Sequence, residues 1–209
     1  YNRLTTRRLE NKPSVRQFIK EAKQRYQTQI FNEKFLDKSE VFQALGGDST
    51  FLPFLPESHA LKNSQRLLSM LSKYPTVFLK PIRGSLGKGI IRVARTDKKT
   101  FLCQTMGMSG ARSRIFRSAS TLVRTLSARF KAGRYQIQQG IDIAQMRNRP
   151  IDFRALVQKN RAGEWELTSI VARVAGNNHF VSNLARGGTL YPVRTALRLA
   201  GFPPNIVKS

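Results

Sequence analysis

The sequence predicts a mixed α/β protein of the α+β kind, arranged as two lobes that each carry an antiparallel sheet. Three observations point there. Helical periodicity dominates the residues before Thr76, strand-length apolar runs broken by turn residues replace it after Thr76, and a basic helical stretch then leads into a second set of such runs. A chain of 209 residues can bury a sizeable core, and 40% hydrophobic content fits a globular protein.

The elements follow in order. Ser14 and Gln17 form an expected capping box, and Val15, Phe18, Ile19, Ala22 and Tyr26 share one face of the helix it would start. Gln29-Ile30-Phe31 reads as a short strand. Asp37 and Glu40 make a second capping pair for a helix through Leu45 that stops at Gly46-Gly47. Pro53 and Pro56 impose an extended connection. Ser64, Leu67, Leu68 and Leu71 give a third helical stripe, ended by Tyr74-Pro75. Val77 to Leu79, Gly89 to Val93 and Phe101 to Thr105 then read as strands of one antiparallel sheet. In the basic segment Arg112 to Arg134, the residues Phe116, Ala119, Val123, Leu126 and Phe130 recur at heptad-like spacing. Arg114, Arg117, Arg124, Arg129, Lys131 and Arg134 fall mostly off that stripe, which predicts a helix with a cationic outer face. Tyr135 to Ile141, Phe153 to Lys159 and Trp165 to Val174 return to strand, with Asn160 to Gly163 as the turn between the last two. The expected division is 1–50, an N-terminal helical segment; 51–134, a first lobe with a glycine-rich flap; and 135–209, a second lobe.

Lys+Arg number 37 against 12 Asp+Glu, a formal charge of +25. The excess is even: residues 1–100 carry 20 cations and 8 anions, residues 101–209 carry 17 and 4. Such a surface attracts polyanions, so nucleic acid, anionic lipid and nucleotides are all favoured partners. A reader for nucleic acid is not evident, because the aromatics sit within apolar runs and are not interleaved with arginine on one sheet face. The lone Cys103 cannot form an internal disulfide, is compatible with a reducing compartment, and reads as a packed strand residue in TFLCQT. The first residue is Tyr1 and the first ten have no apolar signal core, which suggests a fragment or a processed chain without a signal peptide. No run approaches the roughly 18 apolar residues of a bilayer span.

The chemistry concentrates in Val77 to Val93, VFLKPIRGSLGKGIIRV. A loop that holds polyphosphate needs glycines so that backbone N–H groups can converge on the oxygens, and cations to offset the charge. Gly84, Gly87 and Gly89 with Lys80, Arg83 and Lys88 supply both. A Walker A loop is excluded, since Ile82 stands at its first glycine and Gly89 at its hydroxyl residue. A Rossmann loop is excluded because Ile90, Ile91 and Val93 continue as strand where a helix must begin. Taken alone, the segment is equally a flap over phosphates or an ordinary tight hairpin with surface lysines.

An ordered set of further motifs accompanies the loop: Asn2-Arg3 within NRLTTR, FNEKFLDK ending at Lys38, Lys80-Pro81, GSLGKG, YQIQQGID, PIDFR ending at Arg154, VARV around Arg173, and SNLARGG ending at Gly188. In that order the chain resembles the ATP-grasp superfamily, and within it the YheC/YheD branch of endospore coat-associated proteins. The resemblance implies a bilobal ATP-grasp fold in a bacterial cytoplasmic or spore-coat protein, and carboxylate–amine or carboxylate–thiol ligation through an acyl phosphate. It implies ATP contacts from Lys38, Lys80, Gly84, Ser85, Gly87, Lys88 and Gly89, an adenine-reading segment Gln138, Gln139 and Ile141, and a ribose contact from Asp142. Arg173, Arg154, Asn183 and Arg186 would act on the transferred phosphoryl. As plain alternatives, Lys38 is a solvated helix residue, Gln138 a polar strand residue and Arg173 half of a structural ion pair, although with 4 acids after position 100 partners for Arg173 look scarce. ATP-grasp ligases use Mg²⁺ held by an acidic residue and a Glu-x-Asn pair. This chain has no Glu-x-Asn, Asp152 is the one metal candidate, and no acid follows Glu166. The expectations are therefore an ATP-grasp domain whose second lobe is incomplete or, alternatively, a non-catalytic nucleotide- or polyanion-binding module, for instance a structural coat component.

Overall fold

Pro13 opens the longest N-terminal helix, because its fixed φ and missing N–H suit the first helical position. The computed structural model describes residues 4, 6–30, 33, 34, 36–82, 87–107, 110–127 and 134–208, with the backbone alone at 7, 186 and 208. The chain forms two units, Tyr1–Leu52 and Pro53–Ser209.

The first unit contains α1 (Arg7–Glu10), α2 (Pro13–Tyr26) and α3 (Lys38–Gly46). The expected Ser14/Gln17 box does not form. Lys12 is the extended cap residue, Ser14 lies inside α2, and Gln17 Nε2 instead donates to Glu21 Oε1 at 2.6 Å. The apolar stripe of α2 is also narrower than expected: Ala22 is buried, whereas Phe18 and Tyr26 are 69% and 68% exposed. Gln29 and Ile30 are irregular backbone rather than strand, and Phe31 lies outside the described residues. The second box does form. Asp37 Oδ1 accepts from the backbone N–H of Ser39 (2.9 Å) and Glu40 (3.0 Å), and Glu40 Oε2 accepts from that of Asp37 at 2.8 Å.

The second unit begins with β1 (Ser58–Ala60), α4 (Ser64–Lys73), β2 (Thr76–Pro81), β3 (Ile91–Arg95), β4 (Phe101–Met106), β5 (Ala111–Phe116), α5 (Ala119–Ser127) and β6 (Tyr135–Gln139). The strands form an antiparallel sheet in the order β1-β6-β2-β3-β4-β5. Side chains alternate across a sheet, so one face carries Val77, Leu79, Ile91, Val93, Phe101, Cys103 and Ile137 into a core with Leu67, Met70 and Leu71 of α4 and Leu122 and Leu126 of α5. Cys103 is buried there as the sequence suggested. Each fully buried leucine contributes about 1.5–3 kcal/mol. The other face of the sheet is left for function.

The single helix expected across 112–134 is two elements. Ala111–Phe116 pairs with β4 as the edge strand β5, while the 3.6-residue stripe holds within α5; Phe130 and its neighbours 128–133 lie outside the described residues. β6 pairs with β1 and β2, so the first sheet extends to Gln139.

β7 (Gln145–Met146), β8 (Arg149–Lys159), β9 (Trp165–Val174) and β10 (Thr189–Pro192) form a second antiparallel sheet in the order β10-β9-β8-β7, followed by α6 (Val193–Leu199) and α7 (Pro204–Lys208). Asn160 closes the β8–β9 turn, its Oδ1 accepting from the N–H groups of Ala162 (2.9 Å) and Glu164 (3.0 Å). Ile151, Ala172 and Val174 pack on Met146 and on Ala196 of α6, fixing the base of the hairpin.

Candidate functional site

The polar face of the first sheet is the floor of a cleft of about 840 Å³. Register places one residue from each of the six strands in a single cross-strand row: Ser58, Gln138, Phe78, Arg92, Gln104 and Ser113. Directly opposed residues share a face, so this row is one surface. Gln138 Nε2 donates to Ser58 Oγ at 2.9 Å, and Lys80 Nζ donates to Gln138 Oε1. Lys80 lies two positions after Phe78 on β2, so both point into the cleft, and the ammonium stands 5.5 Å from the phenyl centroid. Arg92 Nη1 donates to Gln104 Oε1 at 2.8 Å, and Gln104 Nε2 donates to Ser113 Oγ at 3.3 Å.

At one end of the floor, Gly140 to Ile143 leave the sheet and, with Gln139, line the cleft. The backbone here is fixed from both sides. Gln139 N–H donates to Glu57 O and Gly140 N–H to Thr76 O, each at 2.8 Å. A Cβ on Gly140 would stand 2.8 Å from Thr76 Cβ, Cγ2 and O, so the close approach requires glycine. Glu57 also anchors the segment: its N–H donates to Gln139 Oε1 at 3.1 Å, and its carboxylate accepts from Lys73 Nζ, His59 Nε2 (2.8 Å) and the Tyr74 hydroxyl (2.7 Å). Those hydrogen bonds, from Lys73 first, then His59 and Tyr74, hold the Glu57 carboxyl down at about 2.

At the other end, Lys80-Pro81 leads into the flap. Gly84 and Ser85 lie outside the described residues, as does Arg83. Gly87 and Gly89 have φ of +70° and +71°, a conformation natural to glycine. A Cβ on Gly87 would meet Asn183 Oδ1 at 3.0 Å and Val181 Cγ2 at 3.3 Å, so the flap rests against the segment after β9. Lys88 is exposed, and the Tyr135 hydroxyl donates to Gly89 O at 3.4 Å. Residues 178–183 form the opposite wall. Phe180 meets Phe78 with centroids 6.1 Å apart, and Asn178 O accepts from Ala111 N–H at 3.0 Å.

Asp152 lines the cleft from the second sheet and stands directly opposite Arg173. Arg173 Nε donates to Asp152 Oδ1 at 2.6 Å and Nη2 to Oδ2 at 2.5 Å, a bidentate pair in which the arginine side chain is 15% and the carboxylate 39% exposed. Burial pushes the Asp152 carboxyl up, but the hydrogen bonds from Arg173 and Ser182 and the charges of Arg173 and Arg154 outweigh it and hold the group below its ordinary value. Arg173 is thus half of an ion pair, the plainer of its two sequence readings, although acidic partners looked scarce. Register puts the one nearby carboxylate across the ladder from it, which a count of acids does not reveal.

The cleft lining therefore unites Lys80, Gln138, Gln139, Ile141, Asp142, Asp152 and Asn183 from the sequence-expected set. Arg154 is exposed on β8. Arg186 ends a 3₁₀ turn, Leu184–Arg186, and its side chain lies outside the described ones. Lys38 is the first residue of α3, in the other unit. Sequence reasoning missed Phe78, Arg92, Gln104, Ser113 and Phe180; the period-two alternation from Lys80 back to Phe78 was the available signal for the first.

A family model described as YheC/D-like ATP-grasp matches residues 27–204. The chain belongs to that family. Among its YheC/D-like relatives, the endospore coat-associated protein YheD of Bacillus subtilis (strain 168) is 30% identical over 190 residues, covering 91% of this chain and 42% of that protein. The endospore coat-associated protein YheC of the same organism is 26% identical over 160 residues, covering 77% of this chain and 44% of that protein. The chain thus spans less than half the length of these ATP-grasp relatives. Its two antiparallel sheets with flanking helices are consistent with the ATP-grasp fold. No helix of the described residues is long and apolar enough to cross a membrane.

Proposed function

We propose that the cleft binds ATP and that the chain is the nucleotide-binding part of an endospore coat-associated ligase joining a carboxylate to an amine or thiol. The carrying observation is the convergence on one cleft of Lys80, of Asn183 and Val181, against which Gly87 of the flap packs, and of a fixed backbone segment at the far end of the same two strands. Triphosphate oxygens would meet Lys80 and the N–H groups of the flap. The adenine edge would meet backbone at Ile141, since the amides of Gln139 and Gly140 are already bonded to Glu57 and Thr76, and the exposed Asp142 would accept a ribose hydroxyl. Phe78 and Phe180 supply apolar surface for the base.

In the chemistry this supports, a carboxylate oxygen attacks the γ-phosphorus and ADP leaves, giving an acyl phosphate. The amine or thiol then attacks the acyl carbon, and phosphate leaves. The amide of Asn183 offers donors over the cleft, and Arg173, held by Asp152, keeps a positive charge behind it. The described residues do not make a Mg²⁺ site. Asp152 gives both oxygens to Arg173, and no group of three His, Cys, Asp or Glu is gathered among them. That commitment of Asp152 favours a second reading, in which the same cleft holds nucleotide without turnover in a coat component. Lys38 and Arg186 remain proposed phosphate contacts on the family resemblance alone.

The test is amide chemical-shift mapping. Saturating ATP is expected to move Lys80, Gly87, Gly89, Ile141 and Asp142 while leaving the β8–β9 turn at Asn160 to Gly163 unmoved. Shifts confined to exposed cations such as Lys98, Lys99 and Arg161 would reject the cleft. Hydroxylamine trapping of an acyl phosphate from a panel of carboxylic acids then separates ligase from binder.

A further inference from the structure

We infer that Arg92, with Gln104 and Ser113, forms a second subsite that takes a carboxylate of the acid or amine substrate, one that does not itself react. This rests on the nucleotide reading of the cleft and names the substrate class it would serve. The proposed nucleotide track runs lengthwise, from Ile141 past Phe78 to Lys80. The Arg92 row runs sideways from that track, toward the edge strand β5. With strands about 4.8 Å apart, Arg92 lies about 5 Å and Ser113 about 14 Å to the side of β2. The cleft continues over this row and ends at Gly110, Ala111 and Asn178, where Ala111 N–H meets Asn178 O at 3.0 Å.

The row has a direction. Arg92 donates to Gln104, and Gln104 donates to Ser113, so the Ser113 hydroxyl hydrogen and the remaining guanidinium N–H groups are left for acceptors in the cleft. Arg92 is half-buried, and the ion pairs found among the described residues leave it with the neutral Gln104 amide. A guanidinium held off water in this way gains most from an anion, and its planar fork matches a carboxylate in a bidentate pair. Gln104 fixes one edge of that fork, which orients the other. A substrate reaching from the Asn183 wall to this row would present one reacting group near the flap and a second carboxylate to Arg92.

The test titrates the chain with ADP by calorimetry, then titrates the ADP-saturated chain with glutarate and with glutaramide, its uncharged analogue. Glutarate is expected to bind at least tenfold more tightly than glutaramide. Arg92→Gln should weaken glutarate at least fivefold and change ADP affinity less than twofold. Arg92→Lys, which keeps the charge and loses the fork, should fall between. Arg161→Gln, which removes the same charge from the exposed β8–β9 turn, should leave glutarate binding unchanged. The inference is overturned if glutarate does not bind, if Arg92→Gln and Arg161→Gln weaken it equally, or if Arg92→Gln and Arg92→Lys weaken ADP tenfold, which would make Arg92 a phosphate contact. If ADP fails to bind while glutarate binding still depends on Arg92, the nucleotide reading falls and the carboxylate subsite stands.

Discussion

Removing the carboxylate at Asp152 is expected to leave the Arg173 guanidinium charged, 15% exposed and without the partner that satisfies it. Gross attraction between unit charges about 4 Å apart is roughly 4 kcal/mol at an effective dielectric of 20. Desolvation offsets much of that, and Asp152 keeps 39% of its surface in water, so the net coupling should be about 1.5–3 kcal/mol. The assay is a double-mutant cycle by urea denaturation on wild type, Asp152→Asn, Arg173→Met and the double variant. The pair is also pH-linked with a definite sign. Because the folded Asp152 carboxyl is lowered, its stabilisation is present above the unfolded carboxylate value and is lost as pH falls through the folded one. The coupling should therefore hold at pH 7 and shrink in acid. A coupling below about 0.3 kcal/mol at pH 7 and low salt, the level of an ordinary exposed pair, would refute the bidentate anchor.

Three further outcomes follow from the geometry. Gly140→Ala must displace Thr76 or the segment after β6, and a loss of about 1–3 kcal/mol in chemical denaturation is expected; a neutral result would show that the close approach to Thr76 is not needed. Glu57→Gln should lower stability by about 1 kcal/mol at pH 7. Since its folded carboxyl sits at about 2, the difference from wild type should fade as pH drops from the ordinary carboxylate range toward that value, so an undiminished difference there would contradict the Lys73–His59–Tyr74 cluster. Leu79→Ala, at a fully buried position under the cleft floor, should cost about 2–5 kcal/mol, and a smaller loss would place Leu79 outside the core.

Much of the fold was legible where a local chemical rule decides the outcome. Asp37 and Glu40 start α3 because the reciprocal hydrogen bonds need those two residues three apart, and Gly46-Gly47 stops it. The runs that became β2, β3, β4, β8 and β9 were legible from their length and alternation. Ser14 misled because Pro13 already begins the helix, which puts Ser14 inside the first turn rather than at the cap. The stretch from Ala111 to Phe116 misled because Arg114 and Phe116 fit the charged and apolar faces of a loose helical stripe, while the open edge beside β4 favours strand. β1 is three residues long, too short to announce itself, yet it places Ser58 beside Gln138.

Of the candidate cleft, single residues were legible and their relations less so. Lys80, Gly87, Gly89 and Asn183 could be named from the motif order, but the row from Ser58 to Ser113 exists only once six strands, separated by up to 80 residues of sequence, are in register. For the same reason Asp152 and Arg173, 21 residues apart, were read singly and not as a pair.

The most direct test of the central claim is the ATP dissociation constant, measured by calorimetry on the wild-type chain and on Lys80→Ala. One charge-assisted hydrogen bond to phosphate is worth about 1.5–3 kcal/mol. Lys80→Ala should therefore bind ATP at least tenfold more weakly with its fold intact by circular dichroism. A folded wild-type chain that does not bind ATP, or a Lys80→Ala variant that binds it equally well, would contradict the account.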